Sequence, residues 1–274
     1  MTLANDTARS FYLDLLKRAL TNWIHGHEEW VAVEPSGIRG KLFRALCPDG
    51  CTLVTPKRFD PEKRSAGQDW PPPVIAHTMI GIKRLDNLQS CIEQVIADDI
   101  SGDLIETGVW KGGSTIFMRG VLKAYGVQDR RVWVADSFEG LPAPDLRQFP
   151  EDAGDTHYTF DSLRVPMERV KENFDAYGLL DSQVCFLKGW FKDTLPRAPI
   201  DRLSILRLDG DMYESTMVAL QSLYPKLSIG GFLIVDDYCI PTCAKAIHDY
   251  RYANQIAEEI VPIDGTGVYW RRRV

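Results

Sequence analysis

Apolar residues recur at helical spacing in the first stretch of the chain. Phe11, Leu15, Leu16, Ala19, Leu20, Trp23 and Ile24 share one face, with no Gly or Pro between them. The pattern predicts an amphipathic helix packed across the main body of the protein. From Gly26 to Pro73 the periodicity dissolves into Gly, Pro and charge, including Pro35, Gly37, Gly40, Pro48, Gly50, Pro56, Pro61 and the triplet Pro71-Pro72-Pro73. So long an aperiodic segment reads as a structureless lid or binding element. Helical spacing returns with Ile82, Leu85, Leu88, Ile92, Val95 and Ile96.

After Gly102 short apolar runs alternate with helical patterns. Strand signals at Leu104-Ile105, Val132 to Val134, Val184 to Leu187, Leu203 to Leu208 and Gly231 to Val235 are separated by helical stretches at Gly113 to Tyr125, Pro166 to Tyr177, Tyr213 to Tyr224 and Ala244 to Tyr252. Such alternation builds an α/β fold, a mostly parallel sheet with helices on both faces. Ile260-Val261 and Val268 to Trp270 have no helix between them and should form an antiparallel edge.

Composition narrows the class. The chain has 274 residues, 45% hydrophobic and 26% charged, with scattered glycine and proline, so it can bury a full core. Its net charge of −6 gives no support to binding a phosphate backbone, so nucleic acid is not an expected partner. No apolar run approaches the ~20 residues of a membrane span, and the polar start lacks a signal-peptide pattern, so a cytoplasmic protein is expected. The six cysteines suit buried thiols better than a disulfide scaffold. Cys47/Cys51 and Cys239/Cys243 could be offered as a zinc site, but their spacing is wide and no histidine joins them. The five histidines match no ligand pattern and read as packing or surface residues.

In an open parallel sheet, ligands bind beyond the carboxyl ends of the strands. The first such end, Glu106-Thr107-Gly108-Val109-Trp110-Lys111-Gly112-Gly113-Ser114, has a G-x-x-x-G-G spacing rather than G-x-G-x-x-G. Glu106 would repel a pyrophosphate and welcome a cationic ligand, such as the amino-acid portion of a methyl donor. Asp136, ending the next strand, could accept from ribose hydroxyls, or could be a turn residue. Arg207-Leu208-Asp209-Gly210-Asp211 and Val235-Asp236-Asp237 crowd carboxylates at two further strand ends. A hard divalent cation such as Mg²⁺ would neutralise them, although Asp209 and Asp236 could instead cap the following helices. The segment Phe138 to Val165, rich in acids and aromatics, reads as a substrate lid or a solvated loop. Trp190 could cover an adenine face or belong to the core.

Ala76-His77-Thr78-Met79-Ile80-Gly81, Glu106 to Trp110, Ala135-Asp136-Ser137-Phe138, Gly189-Trp190-Phe191-Lys192-Asp193-Thr194, Arg207 to Asp211 and Asp236-Asp237-Tyr238-Cys239 together resemble the macrocin O-methyltransferase family, over nearly the whole chain. Residues 31–68 match least. The resemblance implies a class I methyltransferase, Rossmann-like fold in residues 101–274, preceded by a helical and loop extension in residues 1–100. It implies S-adenosylmethionine and Mg²⁺ as cofactors, and methylation of a deoxysugar hydroxyl on a glycosylated antibiotic of macrolide or aminocoumarin type. It assigns Asp209, Asp236 and Asp237 to the metal and Asp211 to the general base. Thr78, Met79, Glu106, Thr107, Gly108, Val109, Ser114, Asp136, Ser137, Gly189 and Trp190 would surround the cofactor. It further implies a small-molecule glycoside partner and a homodimer. A catechol-type O-methyltransferase, an NAD-dependent oxidoreductase and a non-catalytic binding protein that keeps the fold are the alternatives.

Overall fold

The computed structural model describes residues 2–26, 29–33, 36–47, 51–68 and 75–274; Pro35, Pro48, Gly50, the Pro71 to Pro73 triplet and His27 lie outside them. Helix α1 (Thr2–Leu20) forms as expected, but its buried stripe is Leu13, Leu16 and Leu20 with the stem of Lys17. Phe11 and Leu15 face outward, and Trp23 and Ile24 lie beyond the helix end. At ~100° per residue, Leu15 and Phe11 lie about 140–180° around the helix from Leu13 and Leu20, so burying those two turns the first pair outward.

The segment read as structureless holds short elements. β1 (Trp30–Ala32) pairs antiparallel with β2 (Val54–Pro56), with α2 (Gly37–Leu46) between them and α3 (Pro61–Ala66) after them. These pieces are too short for periodicity to register, and end signals define α3 instead. The Asp60 side chain accepts from the Glu62 and Lys63 amides, Pro61 opens the helix, and Gly67 closes it at φ 67°. Arg64 of α3 ties the region to the end of α1. Its guanidinium meets both Glu29 carboxylate oxygens at 2.7 Å and donates to the Thr21 carbonyl at 2.7 Å, with Arg64 and Glu29 almost fully buried.

Helix α4 (Ile82–Ala97) leads into β3 (Asp103–Thr107), α5 (Gly113–Ala124), β4 (Val132–Asp136), α6 (Met167–Ala176), β5 (Val184–Lys188), α7 (Phe191–Thr194), β6 (Leu203–Leu208), α8 (Tyr213–Leu223), β7 (Leu227–Val235), α9 (Pro241–Ala253), β8 (Val261–Pro262) and β9 (Val268–Arg271). The seven-stranded sheet runs β5-β4-β3-β6-β7-β9-β8, parallel through β7 and antiparallel at β9 and β8, as the alternation predicted. The chain moves outward from β3 to β5, then returns to β6 on the other side of β3, which places a switch point between β4, β3 and β6.

Strand side chains alternate between two helix layers. Leu104, Val134, Ile205 and Ile234 join α1, α4, α5 and α6 in one core, while Ile105, Ala135, Leu206 and Val235 join α8 and α9 in the other. The turn after β3 passes so close to the end of β6 that a Cβ on Gly108, whose φ is 87°, would lie 1.7 Å from the Asp209 carbonyl oxygen. Only glycine fits there.

Removing the Glu29 side chain would leave the Arg64 charge buried without its carboxylate. Glu29→Ala is therefore expected to lower unfolding free energy by about 3–5 kcal/mol, measured by urea unfolding. A loss under about 1 kcal/mol would show that Arg64 does not anchor this region.

Candidate active site

The two-residue period that builds the core also assembles the site. Glu106, Asp136, Arg207 and Asp236 each follow a residue of the α4/α5 core layer by two positions, so all four project to that same face at the carboxyl edge of the sheet. Glu106 is opposite Arg207 in the β3–β6 register. Arg207 Nη1 binds Glu106 and also Asp209 Oδ2 at 2.7 Å, and its Nη2 binds Asp236 Oδ1. The other Asp236 oxygen receives Arg84 Nη1 from α4 at 2.5 Å. Arg207 is 1% exposed and Arg84 7%, so neither charge is screened by water.

Burial dominates the acid–base behaviour here. It pushes the Glu106 carboxyl up to about 8 against the pull of Arg207, with Asp209 and Asp236 adding to the rise. Asp211 is raised to about 7 by burial and by Asp209, partly offset by His157. Asp237 rises well above the usual carboxylate range through burial and its three acidic neighbours, Asp211, Asp209 and Asp236. The Glu106 Oε2 and Asp237 Oδ2 atoms are buried without a hydrogen-bond partner.

These groups open onto a cavity of about 710 Å³. Thr78, Met79, Glu106, Gly108, Val109, Ser114, Asp136, Ser137 and Trp190 line it, as do Asp209, Asp211, Asp236 and Asp237. Two expected residues do not. Thr107 supports the wall by accepting the Asp209 amide on its carbonyl, and Gly189, at φ 138°, turns the chain into Trp190. Asp136 is both a turn residue and a wall residue. Its Oδ2 takes the Val109 amide and its Oδ1 the Phe138 amide, each at 2.7 Å, with the Ser137 hydroxyl 3.4 Å from Oδ1. The capping alternative for Asp209 and Asp236 does not hold, because α8 and α9 begin after Met212 and Ile240, with no side-chain cap from either aspartate.

Helix α8 is instead capped from 60 residues upstream. Asp152, fully buried, accepts the Tyr213 amide at 2.7 Å and the Glu214 amide at 3.0 Å. This pins the Phe138 to Val165 segment beside Asp211. The same segment brings His157, Phe160, Ser162 and Leu163 to the cavity, and Trp110 Nε1 holds the Ser162 carbonyl at 2.9 Å. His157 is thus no ordinary surface histidine: its Nδ1 lies 2.8 Å from Asp155 Oδ2, and its pKa is raised by Asp155 and Asp211 despite partial burial. His77 and His248 do pair with tyrosine hydroxyls, Tyr177 and Tyr238.

Arg84, Arg207 and His157 escaped the sequence reading. Arg207 left a signal, being the lone charge inside Leu203 to Leu208, and Asp155-x-His157 left a weaker one. Arg84 left none, since its partners lie more than 150 residues away.

Among the described residues, Asp209, Asp236 and Asp237 are the His, Cys, Asp or Glu group able to hold a metal, with one oxygen from each within 4.8 Å of the others. The cysteines do not gather, and the expectation of buried thiols holds only for Cys91 and Cys243, since Cys51 and Cys239 are exposed. No helix among the described residues is long and apolar enough to cross a membrane.

The strand order, the cavity at the switch point and the acidic strand ends define a class I methyltransferase architecture. The family model described as "Macrocin-O-methyltransferase (TylF)" matches residues 9–272. The chain is 51% identical over 97% of its length to the 8-demethyl-8-(2,3-dimethoxy-alpha-L-rhamnosyl)-tetracenomycin-C 4'-O-methyltransferase of Streptomyces olivaceus, covering 94% of that protein. It is 48% identical over 98% of its length to the mycinamicin III 3''-O-methyltransferase of Micromonospora griseorubida, covering 99% of it. The solved structure of the O-methyltransferase NovP superposes with a TM-score of 0.83 at 46% identity, over 97% of this chain and 100% of that one. The chain belongs to the macrocin O-methyltransferase family and is an O-methyltransferase, so the oxidoreductase alternative falls.

Raised carboxyl pKa values favour the protonated folded state. Between the unfolded value near ~4 and the folded values of about 7 and about 8 for Asp211 and Glu106, the native chain binds more protons than the unfolded one. The raised His157 acts in the same direction and the lowered His77 against it, while the depressed Asp181 and Asp264 lose their contribution only at more acid pH, so the two raised carboxyls set the net slope. In chelator, thermal stability is therefore expected to fall as pH rises from 5 to 8. A midpoint that climbs over this range would contradict the arrangement of charges.

Proposed function

We propose that this protein transfers a methyl group from S-adenosylmethionine to a deoxysugar hydroxyl of a glycosylated natural product, with Mg²⁺ held by Asp209, Asp236 and Asp237. The observation that carries the reading is the three-carboxylate group, one oxygen of which, Asp237 Oδ2, is buried without a partner at the wall of the cavity. An all-oxygen, strongly anionic donor set suits a hard divalent cation. Relatives that methylate a rhamnosyl 4'-hydroxyl and the 3''-position of mycinamicin III support the acceptor class.

The residues of this chain divide the work. The Glu106 carboxyl, on the cavity wall with no hydrogen-bond partner for its Oε2, would accept the ammonium of the methyl donor, and the Asp136 carboxylate would accept ribose hydroxyls. The Gly108 turn gives the backbone room to approach, and Thr78, Met79, Val109, Ser114, Ser137 and Trp190 complete the wall. When bound, S-adenosylmethionine supplies an electrophilic methyl group on a sulfonium. Mg²⁺ held by Asp209, Asp236 and Asp237 would supply Lewis-acid polarisation of an acceptor hydroxyl.

Asp211 takes the acceptor proton. Its pKa of about 7 suits a base working near neutrality. Its backbone lies in the left-handed region, with φ 58°, which Asp and Asn tolerate better than most side chains. The Phe138 to Val165 segment would face the acceptor and exclude water, so that oxygen, carbon and sulfur are held in line. Residues 1–100 act as an extension that completes the 101–274 catalytic unit, and self-association would use the outward Phe11 and Leu15 of α1.

Labelled methyl transfer to a panel of deoxysugar glycosides and catechols, with Mg²⁺ or with chelator, tests this reading. Transfer to a glycoside that stops in chelator is expected; transfer to catechols alone would overturn the acceptor class. Asp211→Asn should bind cofactor normally while kcat drops by roughly 10²–10⁴-fold, and a wild-type rate would place the base elsewhere. Asp237→Asn keeps the shape of a residue with no arginine partner, and is expected to weaken Mg²⁺ activation without changing cofactor affinity. Asp236→Ala would be a poorer probe, since it strands Arg84 and Arg207.

A further inference from the structure

We propose that Arg84 is a positioning residue for the metal centre, fixing the Asp236 carboxylate from α4 in a ligating orientation before any cation arrives; this rests on the metal-dependent reading above. The guanidinium uses all three of its nitrogens. Nη1 donates to Asp236 Oδ2 at 2.5 Å, Nε to Asp264 Oδ2 at 2.8 Å, and Nη2 to Thr266 Oγ1. Asp264 is itself immobilised, because its Oδ1 accepts the Thr266 and Gly267 amides at 2.8 Å each and the Thr266 hydroxyl at 2.9 Å. A continuous set of charge-assisted bonds therefore runs from the backbone of the β8–β9 turn, through Arg84, to a ligand at the end of β7.

Asp236 is gripped from two directions, with Oδ2 on Arg84 and Oδ1 on Arg207. Its side-chain rotation is already frozen, and each oxygen keeps a lone pair for a cation. An arginine next to a metal ligand has a second effect of opposite sign, since its positive charge repels the ion. Here that effect is small. Asp264 is a buried carboxylate outside the three-carboxylate group, so Arg84 and Asp264 together carry no net charge. What remains of Arg84 at the site is its geometry.

The opposite signs make removal diagnostic. Mg²⁺ and, separately, Mn²⁺ would be titrated calorimetrically into the full chain without acceptor, alongside titration with S-adenosylhomocysteine and thermal unfolding in chelator. Wild-type protein should bind both ions, and Arg84→Met and Arg84→Lys should each bind them 10–100-fold more weakly, with S-adenosylhomocysteine affinity within about threefold of wild type. Lysine keeps the charge but lacks the planar three-way fork. Tighter metal binding by Arg84→Met, or unchanged binding by Arg84→Lys, would mean that Arg84 is only a counter-charge and would overturn the proposal. Should the Arg84 variants unfold, Thr266→Val removes the Nη2 partner and one of the three donors to Asp264 Oδ1 while keeping Arg84 itself. It is expected to weaken metal binding severalfold, and unchanged affinity there would count equally against the proposal. Absence of metal binding by wild type would instead defeat the metal-dependent reading, and the proposal with it.

Discussion

A guanidinium buried among Glu106, Asp209 and Asp236 allows so many carboxylates to end on one edge of a dry sheet. Taking a carboxylate out of water costs several kcal/mol unless opposite charge and hydrogen bonds replace its hydration. Arg207 provides that replacement at the centre and Arg84 at the flank, while Asp237, which has neither arginine, has its pKa driven upward by burial and its acidic neighbours. The site is thereby charged but not balanced, with an excess of acid and two unpartnered buried oxygens. An imbalance of this sign favours cationic ligands.

How much of this could be read from the chain depended on the length scale of each feature. The alternation from Gly102 onward is local and repeated, so the strands, helices and antiparallel edge followed from periodicity, and the carboxylates were found by counting to the strand ends. The pieces between Gly26 and Pro73 were missed because a three-residue strand or six-residue helix has too few turns to show a period. The orientation of α1 was misjudged because an excess of apolar residues made two faces look alike; tertiary packing chose Leu13 over Phe11. Arg84 and Asp152 belong to contacts that close across 152 and about 60 residues, and no local pattern announces such partners.

The N-terminal extension is thus continuous with the chemistry. Leucines of α1 and α4 share a core with β3 and β6, and α4 carries Arg84 onto Asp236. Arg64 ties α3 to the end of α1, and α3 closes at Gly67, which lines the cavity. An element that packs on the sheet for its hydrophobic burial also delivers a charge to the strand ends, so packing and electrostatics constrain the same helix.

The attachment of the Phe138 to Val165 segment through Asp152 has a consequence for how such a protein can change. The segment is pinned near its start by Ser137 Oγ on the Gly140 carbonyl, in its middle by Asp152 on the head of α8, and near its end by Trp110 on Ser162. Between these points Leu141, Pro142, His157 and Phe160 line the cavity, and none of them is a strand-end carboxylate. Residues there can be exchanged, inserted or deleted while Asp211 and the strand ends keep their places. The cavity wall can thus change shape in inheritance while the strand ends stay in place, because variation is confined to the spans between fixed points.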